Sequence, residues 1–187
     1  MNVYDFDGTI YRGDSTIDFY LWSLIRHPII IRYWGKQMTG FVMYFLKKYN
    51  KKKLKSCFFM FLRDIDVDKE VVDFWDYNEK KIEQWYLDQQ QDDDVIISAS
   101  PDFLLNEICR RLNIQKPVST VVNTLTGQLE SENCRGNEKV KRYLELFPQE
   151  SINEFYSDSL SDLPMAIYAK YAFRVYKGTI IQWKEGK

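Results

Sequence analysis

The chain predicts an α/β fold with a mainly parallel sheet, and three observations carry that prediction. Short apolar runs alternate with helical patterns through the second half of its 187 residues. The run Val95-Ile96-Ile97 is continuously apolar, as expected of a strand covered on both faces. The opening Val3-Tyr4-Asp5-Phe6-Asp7-Gly8-Thr9 sets a strand and then a turn at the start of the chain.

The elements follow in order. Residues 1–13 read as a strand and a turn, and residues 14–90 read as helical. Within the latter, Val71, Trp75, Asn78, Ile82 and Trp85 recur at spacings of three and four, which predicts one helix with Asp66 or Asp68 as its N-cap. The polar run 89–94 is a loop. After Val95-Ile96-Ile97, Ser100 is a candidate N-cap with Pro101 at the first helical position. A strand near 120–124, a helix over 139–146, a strand at 154–157 and a helix near 163–171 come next. Lys177-Gly178 suggests a tight hairpin inside the last apolar stretch. The expected organisation is a core of residues 1–13 plus 91–187, with a helical cap of residues 14–90 inserted after the first strand. The many aromatics between residues 19 and 86 are expected to be cap core.

Composition narrows the function. With 45% hydrophobic and 28% charged residues, the chain fits a soluble globular protein. A net charge of −1 excludes the global basic field that gathers nucleic acid. Cys57, Cys109 and Cys134 are an odd number without metal-ligand spacing, which reads as reduced thiols in the cytoplasm. No signal peptide is expected, because a charged motif already occupies the first residues. Residues 19–48 are very apolar, but Arg26, Arg32 and Lys36 break them into runs too short to span a bilayer. An interfacial or cap helix is compatible with that stretch.

Ligands of such folds bind at the carboxyl ends of the strands. Asp5 and Asp7 follow the first strand, Ser98 the second, and Asp158 a later one, with Asp162 four residues on. Lys139 enters a helix between them; its neighbour Lys141 is the alternative. Carboxylates in a cluster hold Mg²⁺, an ammonium and a hydroxyl neutralise and orient phosphate, and an aspartate can attack phosphorus. That set suits phosphoryl transfer. His27, the only histidine, has no task in such a mechanism.

The motifs DFDGT, an apolar run ending in Ser98, Lys139 and SDSLSD, in that order, resemble the haloacid dehalogenase-like hydrolases. The helical stretch after the first motif is similar to the phosphoserine phosphatase-like branch. The resemblance implies a Rossmann-like core and a Mg²⁺-dependent phosphatase working through an aspartyl-phosphate. It implies that Asp5 is nucleophile and metal ligand. Asp7 would be general acid and then base, with its carbonyl on the metal. Gly8, Ser98 and Lys139 would hold the phosphoryl group, Asp158 would ligate the metal, and Asp162 would orient its water shell or the lysine. Asp14 falls where phosphoserine phosphatases carry an acidic residue that contacts substrate. Receiver domains use similar groups, but the order here rejects them: the acidic pair opens the chain and the last acids follow the lysine.

The expected substrate is a soluble small-molecule phosphomonoester. The alternative is a lipid phosphate, such as phosphatidylglycerophosphate, met by the cap at the inner face of a membrane. CRGNEKV, FYSDSLSD and FRVYKGTIIQW resemble the phosphatidylglycerophosphatase C type. Apolar runs beside Lys47, Lys48, Lys51, Lys52, Lys53 and Lys55 form a pattern suited to an anionic surface. A non-catalytic binding module is the third class, and the intact constellation argues against it.

Overall fold

A computed structural model describes residues 1–115 and 117–183. Six strands form one sheet in the order β3-β2-β1-β4-β5-β6: β1 Asn2–Tyr4, β2 Val95–Pro101, β3 Val118–Thr120, β4 Ile152–Ser157, β5 Ala169–Tyr176 and β6 Thr179–Gln182. All neighbours are parallel except β5 and β6. The α/β architecture with a mainly parallel sheet is the one the sequence predicts. β1 lies between β2 and β4, so the chain leaves the sheet in different directions on its two sides. That divergence opens a crevice at the carboxyl ends.

Alternation along the strands builds two cores. Val3, Val95, Ile97 and Phe155 point to the face covered by α7 (Asn137–Leu146) and α8 (Leu163–Tyr168). Tyr4, Phe6, Ile96 and Tyr156 point to the other face. There they meet α1 (Ser15–Arg26), α4 (Val67–Asn78), α5 (Gln84–Gln89) and α6 (Asp102–Arg111). Trp75 of α4 is fully buried against Phe6 and Tyr11, and its indole N–H donates to Leu104 O at 2.9 Å. Cutting such a ring back to alanine costs about 3–5 kcal/mol. Part of the segment 14–90 therefore packs directly on the sheet. The remainder is a helical hairpin of α2 (Trp34–Phe45) and α3 (Lys51–Phe58), with 3₁₀ turns at Pro28–Tyr33 and Phe59–Asp64.

Three local expectations change, and the choice between Asp66 and Asp68 is decided. The helix predicted through Ile82 and Trp85 ends at Asn78, and Ile82 is extended. The reason is tertiary: Arg12 N donates to Lys81 O and Glu83 N to Ile10 O, so residues 81–83 serve the loop after β1. Asp66, not Asp68, caps α4, accepting from Lys69 N. Ser100 does not cap α6, because β2 runs through Pro101 and the Ser100 hydroxyl has another partner. The strand near 120–124 lies earlier, at Val118–Thr120; Val122 keeps only an isolated bridge to Leu129. The hairpin forms as expected, with Lys177 and Gly178 at φ of 49° and 78°. The aromatics divide: Phe19, Phe59, Phe61 and Phe74 are core, whereas Trp34, Phe41 and Phe45 are exposed.

Candidate active site

Asp5 is the first residue beyond β1. Its N–H donates to Tyr156 O at 2.8 Å, which extends the β1–β4 ladder one step and fixes the side chain over the crevice. Phe6 turns into the core, and the chain folds back so that Tyr11 N reaches Phe6 O. Because the strand ends at Tyr4, it is this turn that brings Asp5 and Asp7 to one cleft.

The two carboxylates face different partners. Asp5 Oδ1 accepts from Lys139 Nζ at 2.8 Å. Lys139 also donates to Asp162 Oδ2 at 2.7 Å, and Asp162 takes a further hydrogen bond from the Ser157 hydroxyl. Burial alone would lower the Lys139 pKa, but Asp5 and Asp162 outweigh it and hold it above the usual value. Burial raises the Asp5 pKa, and Lys139 opposes it. Lys139 is thus the site lysine, 2% exposed, while Lys141 lies on the surface beside Glu145. Asp7 Oδ1 accepts from Ser15 N at 2.6 Å, and the Ser100 hydroxyl donates to Oδ2. Burial, then Asp14, pushes the Asp7 pKa up to about 6.

Asp158 follows β4, and its N–H donates to Thr9 Oγ1 at 2.9 Å. Its carboxylate presses against Gly8: a Cβ there would lie 2.7 Å from Asp158 Cγ and closer still to Oδ2. Gly8 also sits at φ 72°. Its N–H is committed to Tyr11 O and Gly13 O, both at 2.9 Å. Gly8 therefore makes room for Asp158, with its own N–H already engaged by two carbonyls. Asp162 is occupied by Lys139 and Ser157. The donors left for a cation are the Asp5 and Asp158 carboxylates and the Asp7 carbonyl. Among the described residues no three His, Cys, Asp or Glu side chains gather as ligands. One or two carboxylates plus oxygens from water and substrate fit Mg²⁺, which keeps much of its hydration, and do not fit zinc.

The cleft has a volume of about 400 Å³. Ser98 lines it, buried, and accepts from Ser100 N at 3.1 Å. Asp14 lines it too, with Oδ1 used as the N-cap of α1 through Ile17 N. Three cations that sequence reasoning did not place there complete the wall: Lys51 and Lys55 of α3, and Arg135. Lys55 Nζ donates to Ala99 O at 2.8 Å, and burial, then Lys51, pushes its pKa down to about 8. Ser100 is the other omission. The signal for the lysines was their spacing: Lys51, Lys55 and Phe58 recur on one face of α3, away from Lys52, which pairs with Glu132. His27 has a structural part, its Nε2 lying 2.9 Å from Glu70 Oε1.

The sequence and the fold have counterparts. The protein CicA of Caulobacter vibrioides is 32% identical over 91 residues, which span 45% of this chain and 41% of that protein. A protein of unknown function from Bordetella pertussis Tohama I shares the fold at a TM-score of 0.71 with 17% identity, over 92% of this chain and 87% of the other. A phosphoserine phosphatase solved as a phospho-aspartyl intermediate analogue matches at 0.58 with 17% identity, over 91% and 83% of the two chains. The family model described as haloacid dehalogenase-like hydrolase matches residues 3–166, from the strand that leads into Asp5 to the helix beyond Asp162, and the chain belongs to that family.

Proposed function

We propose that the chain is a Mg²⁺-dependent phosphomonoesterase that forms an aspartyl-phosphate on Asp5 and acts on a soluble small-molecule ester. One observation carries the reading: a buried ammonium, Lys139, is held between Asp5 Oδ1 and Asp162 Oδ2 in a cleft that Asp7 also lines. A lysine so fixed neutralises a phosphoryl group at no reorganisation cost.

Asp5 attacks phosphorus; its O–P bond forms as the ester O–P bond breaks. Asp7, whose raised pKa favours the protonated form, gives its proton to the leaving oxygen. Asp7 then takes a proton from the water that attacks the phosphorus, which frees inorganic phosphate and restores Asp5. Ser98 donates to a phosphoryl oxygen. Mg²⁺, held by Asp5, Asp158 and the Asp7 carbonyl, would supply further neutralisation of the transferring group. Lys51, Lys55 and Arg135 receive a second anionic part of the substrate, and Asp14 faces its remainder. The division into a core of 1–13 plus 91–187 and a cap of 14–90 is part of this reading, as is a cytoplasmic setting, supported by three free cysteines.

A second reading, a lipid phosphate, is favoured by the exposed apolar residues on α1 and α2 beside the cleft. Inorganic phosphate release with Mg²⁺ tests both. The panel is phosphoserine, sugar phosphates, nucleotides and phosphatidylglycerophosphate in micelles, with Asp5→Asn as the blank. Turnover equal to the blank on every ester refutes the phosphatase.

A further inference from the structure

Charge is segregated along this chain. Residues 19–63 hold ten lysines and arginines and no aspartate or glutamate, against a net charge of −1 for the whole. Arg26 is absorbed by Glu70 and Asp73, and Arg32 by Asp64. Lys36, Lys47, Lys48 and Lys53 have no carboxylate partner among the described residues.

The same segment turns apolar side chains outward. On α1 these are Ile17, Leu21 and Ile25, one stripe at four-residue spacing, with Ile25 81% exposed. On α2 they are Trp34, Met38, Val42 and Phe45, again one stripe, with Phe45 79% exposed. Ile29 and Ile31 stand exposed in the turn that joins them. A helix of a globular domain normally buries such a stripe. The opposite faces are already packed, with Phe19 of α1 and Gly40 of α2 buried. The two stripes belong to one surface, because Trp34 Nε1 donates to Tyr20 Oη at 2.8 Å and Ile17 and Phe41 both line the cleft. At the end of α2, Tyr44 and Phe45 share a shallow depression with Lys47, Lys48 and Lys53.

We infer that the outer face of α1 and α2 docks on an anionic lipid surface. The aliphatic and aromatic side chains enter the headgroup boundary, and the unpaired lysines meet lipid phosphates. Three arguments select this occupant. An exposed apolar patch of this extent marks an interaction site. Its cations would oppose one another across a pairing of two copies, whereas anionic lipid complements them. Ile25, Ile29 and Phe45 offer nothing to a nucleic acid backbone. No helix among the described residues is long and apolar enough to cross a membrane, so the face lies on the surface. The cleft then opens at the lipid boundary, where a phosphorylated headgroup reaches Asp5 without leaving the membrane. That corollary rests on the second, lipid-phosphate reading; the docking does not.

Co-sedimentation of the full chain with two kinds of vesicle tests it: phosphatidylcholine alone, and phosphatidylcholine with about one-third phosphatidylglycerol. Binding is expected to the anionic vesicles only. Lys47→Glu/Lys48→Glu/Lys53→Glu should raise the half-binding lipid concentration about a hundredfold, each lysine contributing to attraction at the surface. Ile25→Asp/Phe45→Asp should abolish binding. Both variants should hydrolyse soluble p-nitrophenyl phosphate as the parent does. Absent binding, equal binding to both vesicles, binding that survives both variants, or a dimer that Ile25→Asp/Phe45→Asp dissociates would overturn the docking. Vesicle binding without hydrolysis of any ester would leave the docking standing and remove the phosphatase.

Discussion

Lys55 Nζ donates to the Ala99 carbonyl at 2.8 Å, tying helix α3 to the end of β2 directly above the cleft. One side chain thereby couples the position of the helical hairpin to the strand that carries Ser98 and Ser100. It also sets a cation, cost-bearing because it is buried, where the Asp14 and Asp7 carboxylates offset only part of that cost.

The first prediction follows from that cation. Lys55 is charged below pH about 8 and loses its proton above it, because burial and Lys51 depress its pKa. If it binds an anionic part of the substrate, KM rises above pH 8 in the parent enzyme and stays flat in Lys55→Met. At neutral pH, Lys55→Met should raise KM about 10–100-fold, the worth of a hydrogen bond to a charged group, with kcat less affected. Steady-state kinetics across pH check it.

Ser100 gives a prediction of opposite character. Its hydroxyl donates to Asp7 Oδ2 and so favours the ionised carboxylate. Ser100→Ala removes that donor and raises the Asp7 pKa above about 6. The descending limb of kcat/KM against pH, which reports loss of the Asp7 proton, should move upward by about one unit. An unmoved limb would separate Ser100 from Asp7.

These two residues also mark the limit of what the sequence reveals. The sheet was legible because a continuous apolar run such as Val95-Ile96-Ile97 has few other uses, and Asp5, Lys139 and Asp158 because each sits just past a strand or at a helix entry. Lys55 was not, since in sequence it is one lysine among six, and only the packing of α3 separates it from exposed Lys53. Ser100 carried a valid local signal, a serine before Pro101, which lost to a contact 93 residues away in sequence. Ile82 kept helical spacing with Trp75 but was drawn out by hydrogen bonds to residues 10–12, partners the periodicity cannot register.

A third prediction concerns metal removal. Asp7 is raised to about 6, and Asp5 and Asp158 are raised as well, in each case first by burial. The folded protein therefore holds protons that the unfolded chain has released, and metal-free stability falls as pH climbs from about 4 through 7. Mg²⁺ binding to the ionised carboxylates offsets this. Differential scanning fluorimetry should show Mg²⁺ raising Tm more at about pH 8 than at about pH 5, by linkage. Asp7→Asn should flatten the metal-free decline. EDTA should silence turnover.

The last prediction isolates Gly8. A methyl group there meets the Asp158 carboxylate, and the positive φ adds about 1 kcal/mol of backbone strain for alanine. Asp158 lies at an exposed rim of the sheet, so it can give way without unfolding the core, and Gly8→Ala should keep its fold while displacing one cation donor. Turnover should fall at least about tenfold, with a raised Mg²⁺ requirement, since a displaced ligand weakens cation binding before it weakens phosphate contacts. Lys139 and Ser98 are untouched, so inhibition by inorganic phosphate should persist once Mg²⁺ is saturating. A Gly8→Ala enzyme with parental Mg²⁺ dependence would mean that Asp158 does not hold the metal.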